Sequence, residues 1–521
     1  MCLFLNTKRF VFFISLLAFA SVSVDKGAAD SSVTVPPDSA LYPQLELLAG
    51  RNLIQSGLFS TKPFTRYEAA RLVLEAVKAS ANHAYPFADS SKSIIERLQR
   101  DYEEELTDLQ SGDSAATILK PFEAFSVQYQ HVHGPFAFFN REGISYHEGG
   151  NARAEFQSRA KLGHVFSFFL QPGILYRENA GNAEGDSETK IRLQKGYATL
   201  TLDHSEIQVG RDALWWGPGY HGALLMSNNA RPFDMVKWSN SEADLLPGLL
   251  KSLGPFRYQI VFSRFNDERK AGELVEPYFY GLRLDFKPHP YFEVGLSQAC
   301  LFGGEGRRNL SFSDLIRIFY GNKDRSNTKL DSNQQVALDL ALMFPDMRRT
   351  LFLADSVKVY AEIGAEDMGF LPDKRAYIFG LALNDFLLME NLRLRMEYAN
   401  TVKTAEGLTV WYQHGSYPMT HEGRIFGHHA GTDADDLFFE LSREDAGPYS
   451  YGLGFDLERS GIQTSRIVQK RRQIFLNLGY RFNPRAKIQF YGAQERIDNY
   501  NYLDAEIRRH HYFGVEFQLD F

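Results

Sequence analysis

The sequence has 521 residues, a formal net charge of −7, 23% charged and 14% aromatic residues, and a mean hydropathy of −0.31. The mild acidity argues against nucleic acid as a partner, because a phosphate-binding surface needs a basic excess. The low hydropathy excludes a bundle of membrane helices, each of which needs about 20 consecutive apolar residues; beyond the extreme N-terminus the nearest run, Phe166 to Leu170, stops at Gln171 and Pro172.

Residues 1–29 read as a secretory signal. Lys8 and Arg9 supply the positive start, Phe10 to Ala20 form an apolar stretch too short to span, and cleavage is expected after Ala20 or near Ala28–Ala29. Cys2 leaves with that segment, so Cys300 has no intrachain partner and neither a disulfide framework nor a thiol–metal cluster is expected. The exported chain is bound for the periplasm or beyond.

Residues 30–117 carry a helical pattern. Leu41, Leu45 and Leu48 share a face, and Thr65-Arg-Tyr-Glu68 has the form of a capping box ahead of the stripe Leu72, Val73, Ala76 and Val77. A second box, Ser93-Ile-Ile-Glu96, is read as opening a helix that carries Ile94, Ile95, Leu98, Tyr102, Leu106 and Leu109 and stops before Ser111-Gly112. The segment from Tyr42 to about Ala79, with Leu45, Leu48, Leu53 and Phe64-Thr-Arg-Tyr-Glu-Ala-Ala70, resembles a single S-layer homology repeat. That resemblance implies a cell-wall polymer as a partner; the alternative is a helical plug or cap for the C-terminal region.

From residue 118 to 521 the period changes to two. Val336, Leu338, Leu340, Leu342 and Phe344 make one apolar face; Val357, Val359, Ala361 and Ile363 alternate with Lys358, Tyr360 and Glu362. Leu392, Leu394, Met396 and Tyr398 alternate with Arg393, Arg395 and Glu397, and Tyr278, Tyr280, Leu282, Leu284 and Phe286 with Gly281, Arg283 and Asp285. One face suits lipid and the other water. Short connections (Lys287 to Pro290, Asn483-Pro484) and long ones (Glu178 to Glu188, Gly303 to Asn333, Ser460 to Arg471) fit the two ends of an outer-membrane barrel. The expected fold is therefore mainly β, a large antiparallel transmembrane barrel of about 18 strands preceded by a small periplasmic helical module. Phe513, Val515, Phe517, Leu519 and Phe521 resemble the closing strand of such barrels, whose terminal aromatic is read by the barrel-insertion machinery.

The least strand-like stretch is Gly210-Arg-Asp-Ala-Leu-Trp-Trp-Gly-Pro-Gly-Tyr220, continuing to Ser227-Asn-Asn-Ala-Arg-Pro-Phe233. Aromatic faces stack on sugar C–H faces, and Asn and Arg donate to hydroxyls and carboxylates. The candidate polysaccharide-binding residues here are Arg211, Trp215, Trp216, Tyr220, Asn228, Asn229 and Arg231; the alternative is a rigid inward loop that fills the lumen. A second stretch holds four His (414, 421, 428, 429) and three Asp (433, 435, 436), and His414, Tyr417 and Asp433 join the candidates. Its spacing matches no zinc pattern, and Thr432-Asp-Ala-Asp-Asp436 lacks the Gly and distal Glu of an EF-hand, so it reads as a polar turn lining the lumen with no metal or cofactor assigned.

Both stretches together resemble the capsule assembly protein Wzi family, over about Pro121 to Phe521. The resemblance implies a non-catalytic, lectin-like outer-membrane barrel that anchors or helps assemble capsular polysaccharide or another exopolysaccharide. The alternative functions are a porin or polysaccharide-transport channel, and a hydrolase using His221, Ser227 and Asn228; no Gly-x-Ser-x-Gly elbow surrounds Ser227, which argues against the latter.

Overall fold

The computed structural model describes residues 30–82, 87–111, 117–178, 186–320, 328–366, 374–402, 410–444 and 447–521; the signal segment lies outside them. Eighteen antiparallel strands close into a barrel, the seam joining the first strand, Ile118–His133, to the last, Ile507–Asp520. Val127 faces Phe517 across that seam. Closure leaves no sheet edge to be stranded in hydrocarbon.

Alternation sets the two faces. On strand Leu392–Asn400 the side chains of Arg393, Arg395 and Glu397 are buried in the lumen. On Ser332–Phe344 the outward Leu338, Leu340 and Leu342 are exposed, as lipid-facing groups must be outside a bilayer. The face of Tyr278–His289 departs from the expectation. Leu282, Leu284 and Phe286 are buried beneath Leu246 and the 3₁₀ turn Gly248–Leu253, and Tyr280 lies under the loop helix Phe312–Phe319.

Two-residue turns, including Asp203-His204, Pro290-Tyr291 and Pro484-Arg485, gather at one end of the barrel. The long connections 134–148, 213–232, 303–331 and 401–433 belong to the other. Lys287 and Pro288 fall within a strand instead of a turn, because the ladder shifts register between Phe286 and His289 and a bulge tolerates proline. Gln469 to Arg471 likewise belong to the strand Gln469–Asn483.

Among its described residues the helical region has four helices: α1 (Leu41–Gly50), α2 (Arg66–Asn82), α3 (Ala88–Asp101) and α4 (Glu103–Ser111). Leu45, Leu48, Leu72, Val73, Ile94 and Leu98 form their common core. Thr65 caps α2, accepting from the Glu68 N–H at 3.0 Å, while the Glu68 carboxylate turns to Arg71 instead of closing the box. Ser93 is not a cap. It sits inside α3, donating to the carbonyl of Asp89, as an interior helical serine does. The stripe from Ile94 to Leu109 also breaks into two helices at Tyr102.

This module closes the short-turn end. Arg51 grips Asp385 and Asn391 in the turn between two wall strands. Beyond it the chain climbs into the lumen, where the N–H groups of Phe59 and Ser60 donate to Glu293 and the Thr61 hydroxyl donates to Asp285. Thr61–Lys62 then pairs as a short ladder with Trp215–Trp216, part of a loop descending from the opposite end. The two plugs meet inside the barrel.

Candidate functional site

The loop 213–232 is held by wall carboxylates. The N–H groups of Tyr220, His221 and Gly222 donate to Glu397, and that of Leu224 donates to Glu362. A fixed acid on a strand thus orients a loop that has little regular structure beyond Trp215–Trp216. Around it lies a buried aromatic core in which Trp216, Leu224, Trp411, Tyr412 and Phe426 pack against the wall residues Val261 and Phe279.

Half of the candidates from the sequence belong to this scaffold. Trp216 is fully buried and donates through its indole N–H to Gln259 at 2.8 Å. The Asn229 amide donates to the carbonyl of Ile425, and the Tyr417 hydroxyl donates to that of Gly303. Asp433 accepts from the N–H groups of Gln463 and Thr464 and from the Thr464 hydroxyl, so it anchors the next loop. His414 accepts from the N–H groups of Ser416 and Tyr417, and its far nitrogen lies 3.6 Å from Asp331. The Ser227 hydroxyl donates to the carbonyls of Phe426 and Gly427, so Ser227, His221 and Asn228 do not assemble as a nucleophilic set.

Trp215, Tyr220 and Asn228 line a cavity of about 330 Å³ between the module, the inward loops and the wall. Tyr220 is 40% exposed into it; its hydroxyl donates to Glu440 and the Arg395 guanidinium stacks 3.8 Å from its ring centre. Lys62 lies over the rings of Tyr42 and Trp215, and burial lowers its ammonium to about 8 despite nearby Glu46. Burial opposes ionisation of Glu46, yet Lys358 and then Lys62 hold its carboxyl down at about 2. Aromatic faces beside cations are a chemistry suited to acidic sugars.

Arg211 and Arg231 sit at the long-loop end, where Arg211 shares the outward face of its strand with exposed Ile207 and Val209. Arg211 pairs with Asp234 at 2.8 Å, Arg231 with Glu422 at 2.6 Å, and both donate to the carbonyl of Leu193. Arg192 lies close enough to feel Arg231 electrostatically and makes no ion pair among the described residues. Sequence reasoning missed it, because one arginine in an alternating strand reads as ordinary lumen charge. The structure therefore divides the ten candidates into a buried scaffold, a cavity lining and a rim.

The Wzi protein of Escherichia coli, an outer membrane protein involved in group 1 capsule assembly and a carbohydrate-binding β-barrel, shares this fold. The two superpose with a TM-score of 0.71 at 17% identity, covering 94% of this chain and 100% of that one. An uncharacterized 55.8 kDa protein in the cps region of Klebsiella pneumoniae is 26% identical over 207 residues, 39% of this chain and 39% of its own length. The family model described as capsule assembly protein Wzi matches residues 124–511, through the barrel and both inward loops. The chain belongs to the capsule assembly protein Wzi family.

Proposed function

We propose that this protein holds capsular polysaccharide or a related exopolysaccharide at the outer membrane without catalysing a reaction on it. The observation that carries the reading is the packed lumen. Module and loop join there at Thr61–Lys62 and Trp215–Trp216, so a long polymer is left with the outer mouth. At that mouth Arg192 offers a fork that suits the carboxylates of an acidic polymer, and Arg231 offers a second on exchange of Glu422. Outer-membrane lipid covers the wall, the barrel-insertion machinery delivers it, and a cell-wall polymer would meet the solvent face of the S-layer-homology-like helices.

The test compares cell-associated with released polysaccharide in a deletion strain carrying either the wild-type gene or Arg192→Ala/Arg231→Ala. The wild type restores retention. The double variant, at equal surface level, releases about tenfold more polymer, as a loss of roughly 1.4 kcal/mol in binding requires. Equal retention by that variant would count against the mouth, and normal retention in the deletion strain against the function itself.

Holding and passage are separated by planar-bilayer recording. A lumen packed from both ends gives little steady current; a sustained ohmic current from the folded wild type would favour a pore.

A further inference from the structure

His429 from the loop 401–433 meets His221 from the loop 213–232 and two wall carboxylates, Asp436 on Ala434–Glu444 and Asp456 on Tyr449–Ser460. Asp436 pairs with Glu458 and Phe438 with Asp456 across the ladder, so both acids project into the lumen from neighbouring strands. One nitrogen or oxygen from each of the four residues lies within 4.8 Å of all the others. His221 Nε2 is 3.5 Å from Asp436 Oδ2 and 3.6 Å from Asp456 Oδ2. His429 Nε2 is 3.3 Å from Asp436 Oδ2.

These separations are long for N–H···O bonds, which cluster at about 2.7–3.2 Å. They match the edges of a coordination shell, since ligands about 2.0–2.1 Å from a tetrahedral zinc lie roughly 3.3 Å apart. His221 Nε2, both ring nitrogens of His429, Asp436 Oδ1 and both Asp456 oxygens are buried with no hydrogen-bond partner among the described residues. Buried polar atoms are seldom left unpaired; these six fall in four touching residues, and Nε2 of the adjoining His428, 3.8 Å from Asp436, is a seventh. The nearest guanidinium, Arg471, is 3.8 Å from Asp456 and gives its hydrogen bond to Glu458 at 2.6 Å. Both rings are braced: His221 stacks on Phe438 at 3.9 Å and His429 on Phe139 at 4.5 Å.

We propose that His221, His429, Asp436 and Asp456 bind one divalent transition-metal ion, with zinc the best match to two imidazoles and two carboxylates. Four protein ligands make a closed, structural site. The ion ties both inward loops to two wall strands beside Tyr220, and so stabilises the outer plug.

The full chain, folded in detergent, is saturated with zinc, dialysed and assayed for metal by mass spectrometry. About one zinc per chain is expected, cobalt in its place gives the visible absorption of a tetrahedral site, and chelation lowers the unfolding temperature. His221→Ala/His429→Ala binds below about 0.1 zinc per chain while His289→Ala, at an exposed strand end, still binds about one. A folded wild type holding less than about 0.1 zinc after saturation overturns the proposal, as does a double variant that binds like wild type. If the double variant does not fold, the wild-type stoichiometry and cobalt spectrum decide alone.

Discussion

Arg283→Met will loosen the N-terminal module from the barrel while the wall itself stays folded. Arg283 is fully buried on the lumen side of Tyr278–His289, with Asp285 and Asp339 as its acidic partners. It also donates to the Thr61 hydroxyl at 2.8 Å, and that hydroxyl donates to Asp285 at 2.6 Å. This buried cation is one of several ties between module and wall, beside the Arg51–Asp385 pair and the Glu293 contacts, and it is the one at Thr61. Methionine keeps the volume and leaves two buried carboxylates without a counter-charge, a change that costs about 3–5 kcal/mol. The strain is relieved by letting water in around Thr61. Limited proteolysis of the folded barrel will then cut between residues 50 and 65, and the bilayer current will rise, while the heat-modifiable band on a gel persists. Arg283→Met/Asp285→Asn/Asp339→Asn should recover most of the protection, because the cost lies in the stranded charges. Wild-type protection in Arg283→Met alone would mean that the module is held elsewhere.

The barrel was legible because lipid demands a repeated pattern. Leu338, Leu340 and Leu342 outside, with Arg393, Arg395 and Glu397 inside, follow directly from a period of two and one wet face. Thr65 was legible as a cap because its hydroxyl acts within one turn. Ser93-Ile-Ile-Glu96 has the same form, yet the serine bonds to a carbonyl four residues back, and no local rule separates the two uses. The site was harder to read for a related reason. Trp, Tyr, Asn and Asp in a glycine-rich loop look alike whether they serve a sugar or tie a plug, and Trp216, Asn229, Tyr417 and Asp433 do the second. The His and Asp cluster was invisible to spacing rules because His221 and Asp456 come from distant parts of the chain and meet His429 and Asp436 only once the barrel closes. The covered face of Leu282, Leu284 and Phe286 has the same origin, since its cover is supplied by another connection.

Trp216→Ala will release the outer plug, and a glycine in the wall explains why. Gly281 occupies the middle of a strand, where a residue without a side chain costs stability unless something approaches closely. A Cβ built at Gly281 would lie 2.5 Å from the Trp216 ring, and one at Gly364 would lie 2.8 Å from the ring of Trp411. Each inward loop thus presses the edge of a tryptophan ring onto a bare patch of wall. Removing the Trp216 ring empties a fully buried site and orphans Gln259, at a cost of about 3–5 kcal/mol. The loop 213–232 becomes accessible to protease and the lumen conducts. Gly281→Ala forces the ring off its seat from the other side, an overpacking worth about 1–3 kcal/mol. In the Trp216→Ala background the same methyl group meets only the Phe279 ring, at 3.3 Å, so its cost should fall and the two changes should be strongly non-additive. Urea unfolding of the four proteins measures that coupling. If Gly281→Ala costs as much without the tryptophan as with it, the contact between ring and glycine is not what seats the plug.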